Sequence, residues 1–437
     1  MPVPVVTLNA YHVLGISCFG VGLGNWLKRR LPVLDKLNIP SSIVGGLIYA
    51  LLTLVLRDRV VNFRMDLVLR DILMVGFFTT IGMSASLRLI KAGGLQVLTF
   101  FALATLGAVL QSLLGIGLAL LVGINPLLGI ISGAVALTGG PATALAFGKE
   151  FEKFGVQGAT AVGVASAMFG ITMGGLLGGW IGGRLIRKHH LRPAAPNATA
   201  GARSAPRQAM AAAAAHNPSA SEVAYAADPP AEPIAVLGDE SEAEENALLS
   251  SVIAIAIAMG LGSVISSWLS TLPLPWDPSK KLVLPAYIGS MLAAAVLRNL
   301  DDRFGFLKLS QHHIDSIGNI SLYVFIVMAL LTLELWQLAA LAGPFFILLV
   351  GQLLLIFPMC FFLTFYGMGR DYEAAVMSGG FCGFMMGTTA NAMACMDVIV
   401  KKYGPAPRAF IVVPLVGAFL IDFTNAIIIT TMMNFFL

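Results

Sequence analysis

Residues 137–155 read LTGGPATALAFGKEFEKFG: Gly-Gly-Pro between two threonines, set in a long apolar region that then ends in charged residues. Gly139 and Gly140 permit a turn, and Pro141 suits the first turn of a new helix, where its missing amide would have had no partner. The stretch therefore reads as a break between two helical pieces. A second interruption stands at 383–404, GFMMGTTANAMACMDVIVKKYG, again glycine beside hydroxyl and amide side chains.

Around these breaks lies membrane sequence. Of 437 residues, 57% are hydrophobic and 11% charged, and the mean hydropathy of +0.85 lies outside the balance of a soluble domain. Apolar stretches of about 18 or more residues, enough to cross a hydrocarbon core as helices, recur along nearly the whole length. The short alternating segments of a transmembrane barrel are not the pattern. The opening MPVPVVTLNAYHVLGISCFGVGLGNWLKRR places its positive charges after the apolar run with no small-residue cleavage pattern, so it reads as a first span. The net charge of +4 sits in loops and gives no basis for nucleic-acid binding. Cys18, Cys360, Cys382 and Cys395 lack metal-ligand spacing and read as small packing residues.

Six apolar segments precede residue 190, at roughly 10–27, 39–56, 71–90, 95–121, 127–148 and 156–186, and six follow residue 247, at roughly 248–270, 282–298, 313–334, 337–366, 373–398 and 409–433. The stretch 191–246, rich in Ala, Pro, Ser and Glu, cannot form an apolar core and reads as a linker between 1–190 and 247–437. The halves share an order of features: Asn125 or Asp371, then Ser-Gly, then GGPATA or GTTANA, then FEKFG or VKKYG. This order points to duplication.

Lys and Arg accumulate in short cytoplasmic loops, which places KRRLPVLDK inside and the N-terminus outside. Arg184, Arg187, Lys188 and Arg192 also belong inside, yet six complete crossings from an outside start would end outside. The conflict disappears if the segment with TGGPATA enters and leaves from the external side. By the same rule GTTANA is re-entrant from the cytoplasm, KKYGPAPR is inside and the C-terminus outside. The expected fold is an all-α polytopic membrane protein with two inverted repeats of five transmembrane helices, each with a re-entrant discontinuous segment, as in many secondary transporters.

In hydrocarbon every backbone donor and acceptor needs a partner, so a broken helix survives where protein, water, ions or solute satisfy the opened groups. The hydroxyls of Ser132, Thr138 and Thr143 can supply oxygen to a cation, and helix N-termini at a break can offer amides to a carboxylate. Gly387, Thr388, Thr389 and Asn391 offer the same groups at the second break, and two tips entering from opposite faces could surround a small solute. A packing kink with back-bonded threonines is the alternative. Asp422 lies within VVPLVGAFLIDFTNAIIITTMM, with Asn425 three positions on and on the same helical face. A carboxylate in a span usually faces a cavity and serves an ion path. Thr424 and Asn425 would suit sodium coordination, whereas a lone carboxylate could carry a proton or act as a structural acceptor. Glu334 in LELWQL reads as an interface residue beside a belt tryptophan. Ser84 and Ser86, shortly before Arg88 and Lys91, could line a vestibule, although orientation of the span explains the two cations. The pairs His189–His190 and His312–His313 lack the companions of a metal site. Gly170, Gly174, Gly178 and Gly182 form a smooth strip for close helix approach.

Over nearly the whole chain apart from the linker, the blocks IPSSIVGGL, RDILMVGFFTTIGMSASLRLIKAGG, NPLLGIISGAVALTGGPATALA and KKYGPAPRAFIVVPLVGAFLIDFTNAII, in that order, resemble the bacterial sodium/glutamate symporter family. The resemblance implies an inner-membrane homodimer, built of inverted five-helix repeats with re-entrant loops, that couples L-glutamate entry to the sodium gradient. From the residues themselves, the expected solute contacts are Ser132, Thr138, Gly139, Gly140, Thr143, Gly387, Thr388, Thr389 and Asn391 and the expected cation site is Asp422, Thr424 and Asn425; the resemblance makes that cation sodium, with no cofactor beyond the coupling ion. The family typically has Gly-Gly-His-Gly-Thr where this chain has Gly139, Gly140, Pro141, Ala142 and Thr143, and commonly proline at Thr389. Both departures lie where solute is handled, so another small acidic solute stands beside glutamate. Proton coupling and a passive channel are the competing functions.

Overall fold

The computed structural model describes residues 3–36, 39–86, 94–193, 239–273, 282–307 and 309–436. Arg88, Lys91 and most of the stretch read as a linker lie outside the described residues. Five helices among the described residues are long and apolar enough to cross a membrane: Gly94–Leu121, Ala159–Lys188, Asn246–Leu269, Gln311–Leu331 and Ala342–Gly367. The other apolar segments are helical too, but shorter or less apolar: Ala10–Arg30, Ser41–Leu56, Val68–Met83, Ala286–Phe304 and Ile421–Phe436. The helix Asp239–Leu269 starts inside the stretch read as linker, before residue 247.

Strands Val5–Leu8 and Asn62–Met65 pair in parallel, from Val5 with Asn62 to Leu8 with Met65. Parallel strands need a crossover. It is supplied by Ala10–Arg30 and Ser41–Leu56, which lie antiparallel with Gly24 against the Ser41 carbonyl and Gly45 against the Gly20 carbonyl. Two helices thus carry the chain away from one end of the molecule and back to it.

The order of features seen in the sequence recurs as structure. Asn125 caps Pro126–Ile130 by accepting from the Leu127 amide, and Asp371 caps Tyr372–Met385 by accepting from the Ala374 amide. Two turns on, Ser132 Oγ donates to the Leu128 carbonyl at 2.7 Å and Ser378 Oγ to the Ala374 carbonyl at 2.8 Å. Each piece is followed by a break, a second helix (Gly140–Lys153 or Thr389–Tyr403) and then a helix that returns through the core, Ala159–Lys188 or Ala409–Leu415 with its continuation to Phe436.

The glycine strip joins the halves. A Cβ at Gly170 would meet the Met386 carbonyl, and one at Gly178 would lie 2.6 Å from both the Gly379 carbonyl and Cys395 Sγ. At Gly182 the neighbours are Ile399 and the Ala375 carbonyl. Ala159–Lys188 therefore packs backbone to backbone on the helix pair around the second break. Cys360, Cys382 and Cys395 are buried, as packing residues should be, whereas Cys18 is exposed. Glu334 is exposed and accepts from Gln337, and the neighbouring Trp336 ring lies 3.6 Å from the Arg57 guanidinium.

Substituting Gly178→Val puts carbon where a carbonyl and a sulfur already sit, and overpacking of this kind costs about 1–3 kcal/mol. At Gly15, by contrast, an added Cβ would have nothing within 4 Å. Thermal unfolding in detergent is expected to show a clear loss of stability for Gly178→Val and almost none for Gly15→Val.

Candidate functional site

Of the two glycines in the first break, Gly140 makes the turn. Its φ is +70°, a region L side chains rarely adopt, while Gly139 has ordinary helical angles of −82° and −13°. Pro141 stands in the first turn of Gly140–Lys153, as its missing amide requires. The preceding piece is also irregular: a π-helical turn, Ile131–Val135, contains Gly133 at φ −101° and ψ −121°. In the second break, Tyr372–Met385 ends, Thr388 is extended at φ −157° and ψ 172°, and Thr389–Tyr403 begins. Neither Gly140–Lys153 nor Thr389–Tyr403 has a side-chain cap at its N-terminus.

The two breaks touch. A Cβ at Gly140 would lie 2.8 Å from Thr388 Cγ2 and 3.2 Å from the Gly387 carbonyl. Two helix N-termini thus converge, each carrying unpaired amides and the positive end of a helix dipole.

Two glutamines that the sequence reading passed over hold this junction. Gln111 is fully buried in Gly94–Leu121. Its Nε2 donates to the Met385 carbonyl at 2.8 Å, and its Oε1 accepts from Thr138 Oγ1 at 2.6 Å. One amide therefore binds both breaks. Gln352 Nε2, from Ala342–Pro358, donates to the backbone carbonyl of Gln111 at 2.8 Å. The signal for both lay in the sequence, since a lone amide within an apolar span is costly to bury unless it is hydrogen-bonded.

The expected residues divide by what holds them. Ser132 is buried and its proton is used within its own helix. Thr138 is committed to Gln111. Asn391 Nδ2 donates to the Ile171 and Gly383 carbonyls at 3.2 and 3.3 Å. Asn425 Nδ2 donates to the Ala134 carbonyl at 2.9 Å, which ties the last helix to the first break. Thr143 is buried beside Gly139, and Thr389 packs against Gly417.

Asp422 and Thr424 are different. Thr424 Oγ1 donates to the Leu420 carbonyl of its own helix at 2.8 Å. Asp422, directly after the π-helical turn Val416–Leu420, is half-buried, and no hydrogen bond or ion pair among the described residues ties it to either break. Of the three residues expected to form one cation site, the structure joins only Asn425 to a break by a hydrogen bond.

Among the described residues, three buried amide oxygens have no hydrogen-bond partner: Gln352 Oε1, Asn391 Oδ1 and Asn425 Oδ1. Each belongs to a side chain whose nitrogen is bonded at or beside a break. Unpartnered acceptors suit a cation, as uncapped amides suit an anion. Among the described residues no cluster of three or more His, Cys, Asp or Glu could hold a metal ion. Ser84 and Ser86, read as a possible vestibule, belong to a separate network: Gln311 Nε2 donates to Ser84 Oγ at 2.9 Å and Ser86 Oγ to Asp302 at 2.5 Å.

Comparison with known proteins gives a concordant picture. The family described as Sodium/glutamate symporter matches residues 6–223 and 232–405, so the unmatched centre is much smaller than the stretch read as linker. The chain is 36% identical over 413 residues to the sodium/glutamate symporter of Escherichia coli strain K12, with 93% of each chain covered. It is 30% identical over 423 residues to that of Haemophilus influenzae, with 96% of each covered.

Replacing Gln111 by Leu leaves the Met385 carbonyl and the Thr138 hydroxyl without their partner, at about 1–3 kcal/mol for each buried group. Gln111→Leu is expected to lower the unfolding temperature in detergent and to abolish solute flux, whereas Gln111→Asn, which keeps a neutral amide at the position, is expected to retain more of the stability.

Proposed function

The chain belongs to the sodium/glutamate symporter family, and on that premise we propose that it is a secondary active symporter coupling sodium influx to uptake of L-glutamate or a related small acidic solute by alternating access. The observation that carries this reading is the meeting of two uncapped helix N-termini at Gly140 and Thr388, beside amide side chains with unpartnered oxygens. The amides favour a carboxylate, and the oxygens favour a cation. A symporter of an anion and sodium needs both.

In this proposal Gly139, Gly140, Gly387, Thr388 and Thr389 present backbone and hydroxyl donors to the solute carboxylates, with Thr138, Thr143 and Asn391 shaping the pocket. Ser132 contributes only acceptor capacity, its proton being used on Leu128. Asp422, Thr424 and Asn425 serve sodium. Asn425 is the member best supported, since its nitrogen is bound at the first break and its oxygen is unpartnered. Asp422 would reach the ion in another state of the transport cycle. Direct packing of the two break tips favours a carrier that occludes its solute over a continuously open pore.

The multi-pass helices belong in a bacterial inner membrane. The proposed architecture is two inverted five-helix repeats, 1–190 and 247–437, with the breaks as re-entrant tips entering from opposite sides. The segment 191–246 links them on the cytoplasmic side, both termini are external, and the assembly is a homodimer. Matching caps at Asn125 and Asp371, and matching back-bonds at Ser132 and Ser378, support the repeat.

Proteoliposomes under an inward sodium gradient are expected to accumulate labelled glutamate saturably and against its own gradient. Uptake driven by a pH gradient and indifferent to sodium would move the chain to proton coupling, and current steps without accumulation would make it a channel. Asp422→Asn, folded, is expected to weaken apparent sodium affinity about tenfold, the scale of one charge-assisted contact. Thr143→Ala and Asn391→Ala are expected to lose less. Unchanged sodium dependence in Asp422→Asn would remove Asp422 from coupling.

A further inference from the structure

Far from the junction, on the outer side of Ala159–Lys188, lies a crevice of about 340 Å³ between that helix's C-terminal end and Ala342–Gly367. It has a backbone cause. Pro358 supplies no amide, and the helix continues as a π-helical turn, Met359–Thr364, whose extra residue widens the coil and turns Phe361 and Phe362 toward the neighbouring helix. Leu185, Phe357 and these two phenylalanines make the walls. Trp180 stands behind two of them, edge-on to Phe357 at 6.2 Å and to Phe361 at 6.1 Å. The surface around it is apolar and open: Trp180 and Phe362 are 50% and 63% exposed. Nothing about this wall serves the two breaks.

At one end the crevice turns basic. Lys188 and His189 border it, both exposed, and Tyr366 borders it with the Arg370 guanidinium 4.3 Å from its ring centre. Among the described residues neither Lys188 nor Arg370 is in an ion pair. The carboxylate next to Arg370 is already engaged, because Asp371 takes two bonds from Arg408 at 2.6 and 2.7 Å. Arg187 is directed elsewhere, to the Tyr403 hydroxyl at 2.7 Å. An apolar slot that ends at unneutralised cations, on a lipid-facing wall between two spanning helices, has the chemistry of an anionic amphiphile. A neutral lipid would fill the slot and leave the cations unmatched. A free anion would match the cations and leave the slot unfilled.

We propose that this crevice binds one anionic phospholipid of the surrounding bilayer, an acyl chain between Leu185 and the phenylalanines and the phosphate against Lys188, His189 and Arg370. The lipid would sit on the back of the helix whose glycine strip packs against the second break, and so would steady the element on which that break rests.

The test uses the full-length protein in detergent, incubated with phosphatidylglycerol or phosphatidylcholine and read by native mass spectrometry. Wild type is expected to retain phosphatidylglycerol in preference to phosphatidylcholine. Each cation near an anionic surface contributes about 1 kcal/mol, roughly a five-fold effect, so Lys188→Gln with Arg370→Gln is expected to weaken phosphatidylglycerol retention roughly 25-fold and leave phosphatidylcholine unchanged. Both positions are exposed, and an unchanged unfolding temperature without lipid checks that the double variant folds. Equal retention of the two lipids by wild type, or unaltered retention by the folded double variant, overturns the proposal. Displacement of phosphatidylglycerol by inorganic phosphate also overturns it, in favour of a free-anion site, and a crosslink through the crevice between two copies overturns it in favour of a protein interface. If the double variant does not fold, Phe362→Ser, which makes an exposed wall polar, is expected to weaken both lipids together, and no effect there counts against the proposal.

Discussion

Everything in this molecule answers to one constraint: a backbone opened inside hydrocarbon must find partners, because water is not there to supply them. Gln111 meets that demand for two breaks at once, through the Met385 carbonyl and the Thr138 hydroxyl. Gln352 and Asn425 extend the scheme by binding the Gln111 and Ala134 carbonyls. All three are neutral amides, which can donate from nitrogen while presenting oxygen to something else. A charged group would have cost more to bury and would have fixed the sign of what could approach. Gln352 and Asn425 therefore keep their structural bonds on nitrogen and leave their oxygens without a hydrogen-bond partner among the described residues, while Gln111 uses both ends of its amide.

The glycine strip obeys the same economy of space. Lipid tails are as apolar as leucine, so helices in a bilayer associate through close packing rather than through the expulsion of water. Gly170, Gly174, Gly178 and Gly182 let the helix backbones meet where a Cβ would collide with carbonyls or with Asn391. That contact brings Asn391 Nδ2 to the Ile171 carbonyl, so the packing surface and the second break are one continuous construction.

Much of this was legible in the sequence. Gly-Gly-Pro announced a break because glycine and proline act on the chain locally, and the cap residues Asn125 and Asp371 could be read for the same reason. The four-residue glycine spacing announced close packing, though not its partner. Less legible was anything that depends on contacts distant in sequence. Gln111 finds Met385 from 274 positions away, and only the fold reveals that its amide serves both breaks. Asp422 shows the same dependence on distant contacts. Spacing placed it on a face with Asn425, but the π-helical turn Val416–Leu420 immediately before it and the bond from Asn425 to Ala134 give the two residues different surroundings. A charged residue in an apolar run draws attention; a glutamine there does not, although here the glutamines carry the contacts.

The strip also bears on how the protein is made. Ala159–Lys188 emerges from the ribosome with its smooth face complete, yet the groups that cover it belong to helices 372–385 and 389–403, and the Ile171 carbonyl waits for an asparagine 220 positions later. Membrane insertion of the first half must therefore precede its final packing by the synthesis of nearly half the chain. During that interval the groove faces lipid or the insertion machinery, and the last two hundred residues act as the template on which the earlier helices reach their final arrangement.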